Sequence, residues 1–128
     1  MDFNIKTGIR GSQNKTVTIN DTAIKHESGL AEVFATPAMI ALMEKTAFTS
    51  IEQLLPEGFS TVGIDINVQH LKASLPGTLI SYESEIIKIE GKKITFKITA
   101  KDSTELIGTA NHTRYIINSD EFMNRLRK

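Results

Sequence analysis

Cysteine is absent from the 128-residue sequence, and its absence removes several kinds of chemistry. Without cysteine there is no disulfide framework, no thiolate nucleophile and no sulfur-based metal site. An excess of charge is absent as well, because fifteen basic side chains balance fifteen acidic ones. A nucleic-acid groove or an acidic membrane surface is therefore not expected as the main partner. Histidine, serine, threonine and carboxylate side chains remain for chemistry.

Long apolar runs are also missing from the chain. The N-terminal stretch MDFNIKTGIRG carries the acidic Asp2 and no apolar run, so it is not expected to be a secretory signal. No apolar stretch approaches the ~20 residues that cross a bilayer. We therefore expect a cytoplasmic, soluble protein. The length and the apolar content of 40% favour a single domain over residues 1–128.

One long helical pattern occurs in the chain, over residues 36–55. Thr36 is expected to cap it, and Pro37 takes the first helical position, where a missing N–H costs nothing. The apolar residues form one stripe, and Glu44 falls inside that stripe, ~40° from Ile40. Burying a carboxylate without partners is costly, so Glu44 reaches solvent at the edge of the stripe, pairs with a basic residue, or is functional.

Extended segments flank this helix on both sides. A turn is predicted over residues 8–15, and a strand is predicted over residues 15–20. A short C-terminal helix is predicted after Ser119, which would cap it. Alternating apolar residues predict four strands between the two helices, over residues 61–71, 79–89, 94–101 and 105–117.

A histidine continues the apolar face of the first of these four strands. The side-chain period of two places it in one row with Val62, Ile64, Ile66 and Val68. His70 is accordingly either a hydrogen-bonded core histidine or a catalyst. The only long helix has only this sheet to cover, so Glu44, His70 and the hydroxyl of Thr36 are expected to converge.

A hydroxyl, a carboxylate and an imidazole are the groups that acyl transfer needs. One His and one Glu, with His112 not placed, are too few ligands to predict a zinc site, and no other cofactor is predicted.

Short motifs occur in an order that matches one enzyme family. They are EVFAT before the helix, LMEK within it, TVG with a histidine seven residues after the glycine, LPG, IEGKK, IGTANHTR and EFMNRLRK. From about Glu32 to Arg127 the chain resembles the fluoroacetyl-CoA thioesterase family. The resemblance implies an α+β hot-dog fold: an antiparallel sheet of about five strands wrapped around one long central helix, with a short C-terminal helix.

The resemblance also implies an activity and a site. The activity is hydrolysis of a small or medium acyl-CoA thioester to free acid and CoA, with Thr36, Glu44 and His70 as the catalytic set. Gly63, whose backbone lies beside the thioester in that family, and Arg114, near the acyl group, would bind the substrate. The family is generally dimeric, so the resemblance implies a homodimer with the acyl pocket at the subunit interface.

The sequence departs from the family pattern at two places. Where the family's lid presents phenylalanines, the segment KHESGL offers Glu27 and Leu30, and Lys45 stands in place of a large aromatic residue. These departures leave open which acyl group the protein accepts. The alternative function is a non-catalytic acyl-CoA or acyl-lipid binding module with the same fold, and a hot-dog hydratase or dehydratase is a weaker third hypothesis.

Overall fold

The computed structural model describes residues 3–128. Asp2, which bears on the prediction that the chain carries no secretory signal, lies outside the described residues. Among the described residues, no helix is both long and apolar enough to cross a membrane. The elements are β1 (Arg10–Thr16), a 3₁₀ turn (Ile19–Asp21), α1 (Thr36–Glu52), β2 (Phe59–His70), β3 (Leu79–Glu90), β4 (Lys93–Lys101), β5 (Leu106–Asn118) and α2 (Ser119–Leu126).

The five strands form one antiparallel sheet in the order β1-β3-β4-β5-β2. α1 packs against all five of them, which places the core between this helix and one face of the sheet. The strands β3, β4 and β5 lie where the sequence predicts them. The alternation predicted for β4 is confirmed, because its fully buried residues are Ile94, Phe96, Ile98 and Ala100.

The helix α1 begins at the predicted residue, but a different residue caps it. Ala35 occupies the capping position with an extended backbone and forms no side-chain cap hydrogen bond. Thr36 is the first helical residue, and its hydroxyl bonds His70 instead of the free N–H groups of the first turn. The helix ends at Glu52, before the predicted end at residue 55.

The N-terminal strand lies earlier in the chain than the sequence predicts. The predicted turn over residues 8–15 is wrong, because most of that segment belongs to β1. Close packing explains the difference: a Cβ on Gly11 would lie 2.5 Å from Ser50 Cβ, so the glycine lets β1 approach α1. Gln13 then donates from Nε2 to the hydroxyl of Thr46 on α1, at 2.7 Å.

A bulge in β2 changes which of its residues face α1. Gly63 pairs with Arg114 and the next paired residue is Asp65, so Ile64 is the extra residue. The extra residue reverses the side-chain alternation, and Ile64 is 51% exposed. The prediction of one continuous apolar row is therefore wrong for the first half of β2. The residues on the α1 side after the bulge are Ile66, Val68 and His70, which pair with His112, Ala110 and Gly108.

The short helix α2 follows β5 directly, and its cap lies one position earlier than predicted. Asn118 occupies the capping position, and its Oδ1 accepts a hydrogen bond from the backbone N–H of Glu121 at 3.1 Å. Ser119, the predicted cap, is instead the first residue of the helix. The acidic first turn and the basic last turn suit the helix dipole, as the sequence indicates.

Candidate active site

Thr36 and His70 meet where the start of α1 lies against the end of β2. Thr36 Oγ1 is 2.8 Å from His70 Nδ1, so this hydrogen bond fixes the orientation of the ring. The Phe34 ring packs edge-on against the imidazole, with centroids 6.2 Å apart. The other ring nitrogen, Nε2, is buried and has no hydrogen-bond partner among residues 3–128. A nitrogen held in place but left unbonded is able to exchange a proton with a ligand.

The environment of His70 favours its neutral form. Burial lowers the pKa of His70 below its ordinary value of 6.5, because a charged ring is disfavoured away from water. The nearby backbone of Lys72 acts in the opposite direction and is outweighed. His70 is therefore neutral at pH 7 and has a lone pair available on one ring nitrogen.

A cavity of about 290 Å³ adjoins this histidine. Its walls come from the segment before α1 and from the end of β2 and the residues after it. Lys72 lies in this wall and forms ion pairs with Asp102, at 2.8 Å, and with Glu105, at 2.7 Å. A small group bound in the cavity would contact both Thr36 and His70, which are wall residues with Val33, Phe34, Ala35 and Ala73.

Glu44 lies on the α1 side of the β2 bulge. Its Oε2 is 3.1 Å from the position that a Cβ would take on Gly63. The same position is 3.0 Å from His112 Cε1 and 3.3 Å from Arg114 Nη1. The missing side chain of Gly63 thus leaves a small space that a carboxylate, an imidazole and a guanidinium surround.

The guanidinium of Arg114 is held in place from several sides. Arg114 is only 7% exposed. Its Nε donates to Thr61 Oγ1 at 2.8 Å, its Nη2 donates to the Thr61 carbonyl at 3.0 Å, and its Nη1 donates to His112 Nε2 at 3.1 Å. The Phe48 ring lies against the guanidinium, with its centroid 5.6 Å from Cζ.

The charge of Arg114 has a counterpart in Glu44. Burial lowers the pKa of the guanidinium, and Glu44 is the larger of two influences in the opposite direction, ahead of Glu52. Arginine stays protonated in proteins, so a fixed positive charge lies beside Gly63. Within the described part of the chain, the Glu44 carboxylate has no ion pair or hydrogen bond, and no group of three or more acidic or histidine residues is placed to hold a metal.

The structure does not bring Glu44 and His70 together within one chain. The Glu44 carboxylate lies beside Gly63, and His70 follows that glycine along the same extended strand, roughly 20 Å away at the rise of a β-strand. Thr36 and Glu44 are likewise ~12 Å apart along the axis of α1. Thr36 and His70 therefore form one group at the start of α1, whereas Glu44, Gly63 and Arg114 form a second group near its middle.

Comparisons with known proteins assign the chain to a family. The model of the FlK family, the fluoroacetyl-CoA-specific thioesterase, matches residues 17–120. A fluoroacetyl-CoA thioesterase from Streptantibioticus cattleyicolor is 31% identical over 97 residues, which are 76% of this chain and 70% of that protein. The chain belongs to the fluoroacetyl-CoA-specific thioesterase family.

Solved structures agree with this family assignment. A structure of the fluoroacetyl-CoA thioesterase FlK matches with a TM-score of 0.91 and 26% identity, over 97% of this chain and 96% of that one. A hot-dog-like protein from Thermanaerovibrio acidaminovorans also matches with a TM-score of 0.91 and 26% identity, over 98% and 95% of the two chains. The predicted α+β hot-dog fold and the resemblance to the fluoroacetyl-CoA-specific thioesterase family are confirmed.

Three further residues that lie around the second group are not among the site residues predicted from the sequence. Thr61 and Phe48 hold Arg114, and His112 bonds its Nη1. The alternation of β5 contains the signal for His112, because steps of two from the apolar Ile116 lead to Arg114 and then to His112. The bonds of Thr61 depend on the guanidinium position and leave no trace in the sequence.

Proposed function

We propose that this member of a thioesterase family hydrolyses a small or medium acyl-CoA thioester to the free acid and CoA, with Thr36, Glu44 and His70 as its catalytic groups. The observation that carries the proposal is the Thr36–His70 hydrogen bond, which leaves a buried and unbonded Nε2 beside a cavity. Membership in the family supports the reaction class.

The distance between Glu44 and His70 leads us to include a homodimer in the proposal, with the acyl pocket at the subunit interface. β2 is an edge strand, so one side of it is open to a second copy of the chain. Two β2 strands that pair antiparallel about a two-fold axis between Ile66 and Asn67 would place Gly63 opposite His70 of the partner subunit. Paired strands are about 5 Å apart, so Glu44 of one subunit would then lie close to that histidine.

Each residue of the proposed site has a separate role in the reaction. The Glu44 carboxylate either attacks the thioester carbonyl carbon itself, giving an anhydride that water hydrolyses, or takes a proton from a water that attacks this carbon. In the first route the C–S bond breaks and CoA leaves as a thiolate, and the neutral His70 then takes a proton from the water that hydrolyses the anhydride and passes it to the sulfur. In the second route the C–S bond breaks and the proton that Glu44 takes from the water reaches the departing sulfur through His70. Thr36 orients the histidine through Nδ1. The Gly63 N–H donates to the developing oxyanion, and Arg114 borders the acyl end.

A thiol-release assay over acyl-CoAs from acetyl to phenylacetyl and palmitoyl tests the proposal. We expect turnover of small or medium acyl groups, and we expect Glu44→Gln to lower kcat by about 10²- to 10⁴-fold, the usual contribution of a positioned acid or base. Glu57→Gln changes an exposed carboxylate after α1 and serves as the matched control. Hydrolysis of the best substrate by Glu44→Gln at the wild-type rate would contradict the role of Glu44.

A non-catalytic acyl-CoA or acyl-lipid binding module is the second candidate function. The separation of Glu44 from His70 within one chain favours it. A single chain holds the Thr36–His70 pair and the Glu44 group apart, so a chain that stays monomeric has an incomplete catalytic set. Tight binding of a CoA thioester in a calorimeter, without thiol release at any protein concentration, would support this second function.

A further inference from the structure

His112 lies at the centre of the second group of residues, in contact with Arg114 and beside Gly63. It is 1% exposed and projects from β5 toward α1, paired with Ile66 on β2 and with Phe96 on β4. The Phe96 ring stacks on the imidazole, with centroids 6.4 Å apart and an angle of 30° between the rings. Burial and stacking restrict the rotation of this ring, so its two nitrogens keep defined directions.

The two hydrogen bonds of this ring determine which nitrogen carries the proton. Arginine has only donors, so Arg114 Nη1 at 3.1 Å requires a lone pair on His112 Nε2. The backbone carbonyl of Asp65 has only lone pairs, so its contact with His112 Nδ1 at 2.8 Å requires a proton on Nδ1. The Arg114 contact by itself requires the neutral Nδ1–H tautomer, and the Asp65 contact agrees with it.

The two partners of His112 are the parts of the fold that shape the space beside Gly63. The Asp65 carbonyl belongs to the β2 bulge, where the ladder with β5 shifts register. The Arg114 guanidinium borders the same space from β5, and His112 Cε1 itself lies 3.0 Å from the position of a Gly63 Cβ. A single imidazole thus connects the bulge to the guanidinium.

Charges around His112 support the neutral ring. Burial is the main cause that lowers the pKa of His112, and Arg114 lowers it further, whereas the Asp65 carbonyl contact, Glu44 on α1 and the Asp65 carboxylate act in the opposite direction. A protonated ring would lose the acceptor that holds Arg114 and would place two cations 3.1 Å apart. The neighbour on β4 is the uncharged Phe96, which offers no counter-charge.

We infer that His112 is a positioning residue, whose Nδ1–H holds the β2 bulge and whose Nε2 holds Arg114 so that the guanidinium and the Glu44 carboxylate face the same space. The consequence for turnover rests on the proposed function, whereas the tautomer and the contacts of the ring do not.

Two amide substitutions separate the two contacts. His112→Asn places an amide N–H near the position of Nδ1 and leaves Arg114 Nη1 without its acceptor. His112→Gln places an amide oxygen near the position of Nε2 and leaves the Asp65 carbonyl without its donor. Asn111→Ala alters the neighbouring residue, whose exposed side chain lies on the opposite face of β5, and is the matched control.

We expect the two amides to differ in kcat. His112→Asn should lower kcat by about 10- to 100-fold with a smaller change in KM, the usual effect of a misplaced site group, and His112→Gln should retain more of the wild-type kcat. Asn111→Ala should match the wild type. Equal kcat for the two amides, or losses that follow only the loss of thermal stability, would mean that the ring acts through packing alone and would overturn the inference.

Nitrogen-15 NMR of the imidazole rings tests the tautomer without any need for turnover. The spectrum of His112→Asn identifies the His112 signals by their loss, and we expect a protonated Nδ1 and a bare Nε2 at neutral pH. A proton on Nε2 would overturn the inference. If the wild type released no thiol from any acyl-CoA, the proposed function would fail, and the NMR result would still decide the contacts of His112.

Discussion

Replacing Gly63 with alanine adds one methyl group at the point where three side chains of the candidate site meet. The backbone of Gly63 is outside the left-handed region, so alanine is compatible with its conformation, and the effect of the change depends on space alone. The new Cβ would lie 3.0 Å from His112 Cε1, 3.1 Å from Glu44 Oε2 and 3.3 Å from Arg114 Nη1. Each distance is shorter than an ordinary contact, so at least one neighbour must move by a few tenths of an ångström.

The hydrogen bonds of the three neighbours indicate which one moves. His112 and Arg114 are buried and bonded to each other, whereas the Glu44 carboxylate is half-buried and forms no bond among the described residues. We therefore expect Glu44 to be displaced. Since the flexible end of one side chain yields, the free energy of unfolding should fall by about 1 kcal/mol, the low end of overpacking. The kcat should fall by about 100-fold, because a small misplacement of a reacting group costs that much.

Two measurements check this prediction on the same preparations. Denaturant unfolding gives the change in the free energy of unfolding, and thiol release gives kcat and KM. Gly29→Ala is the control for unfolding, because its new Cβ would make an ordinary contact of 3.5 Å with Ala23 Cβ. Gly63→Ala with wild-type kcat and wild-type stability would refute the reasoning, because the carboxylate could not then lie where the structure places it.

Three further predictions concern other parts of the structure. Thr36→Val removes the hydroxyl that bonds His70 Nδ1, so kcat should fall by about tenfold or more, and Thr36→Ser should restore it in the thiol-release assay. Burial lowers the pKa values of His70 and His112, so below their ordinary value of 6.5 the unfolded chain binds more protons than the folded one. The free energy of unfolding in denaturant titrations should therefore fall as the pH drops from about 7 toward 5, and a rise would contradict the assignment. Phe96→Ala empties a fully buried position and should lower the free energy of unfolding by about 3–5 kcal/mol in the same titrations, whereas a loss under 1 kcal/mol would contradict the packing of β4.

The elements with a clear period are the ones that the sequence predicts well. The stripe of α1 and the alternation of β4 both follow from one face packed on the core, so α1 and β4 appear close to their predicted positions. β1 lacks such a signal, because its segment RGSQNKT is polar and is held by the close approach of Gly11 to α1. Tertiary packing determines where β1 forms, and the sequence of a short polar segment gives little indication of that packing.

The candidate site follows the sequence in one contact and departs from it in another. Thr36 and His70 were expected to be neighbours, and they are. The contact between His70 and Glu44 was expected from the assumption that helix and strand converge at one point, but an extended strand and a helix with different rises separate residues that share a layer. The bulge at Ile64 could not be predicted from the sequence either, because an apolar residue at the extra position continues the apparent alternation of apolar residues.

Mixing two inactive variants tests most directly whether Glu44 acts with His70 of the partner subunit. Glu44→Gln and His70→Ala are each expected to be inactive, and subunit exchange between them would give mixed dimers that hold one intact site. At equal concentrations we expect thiol release to recover to about one quarter of the wild-type rate, because half of the dimers are mixed and each has one of two sites. No recovery, in samples where native mass spectrometry detects the mixed dimer, would contradict a site shared between subunits.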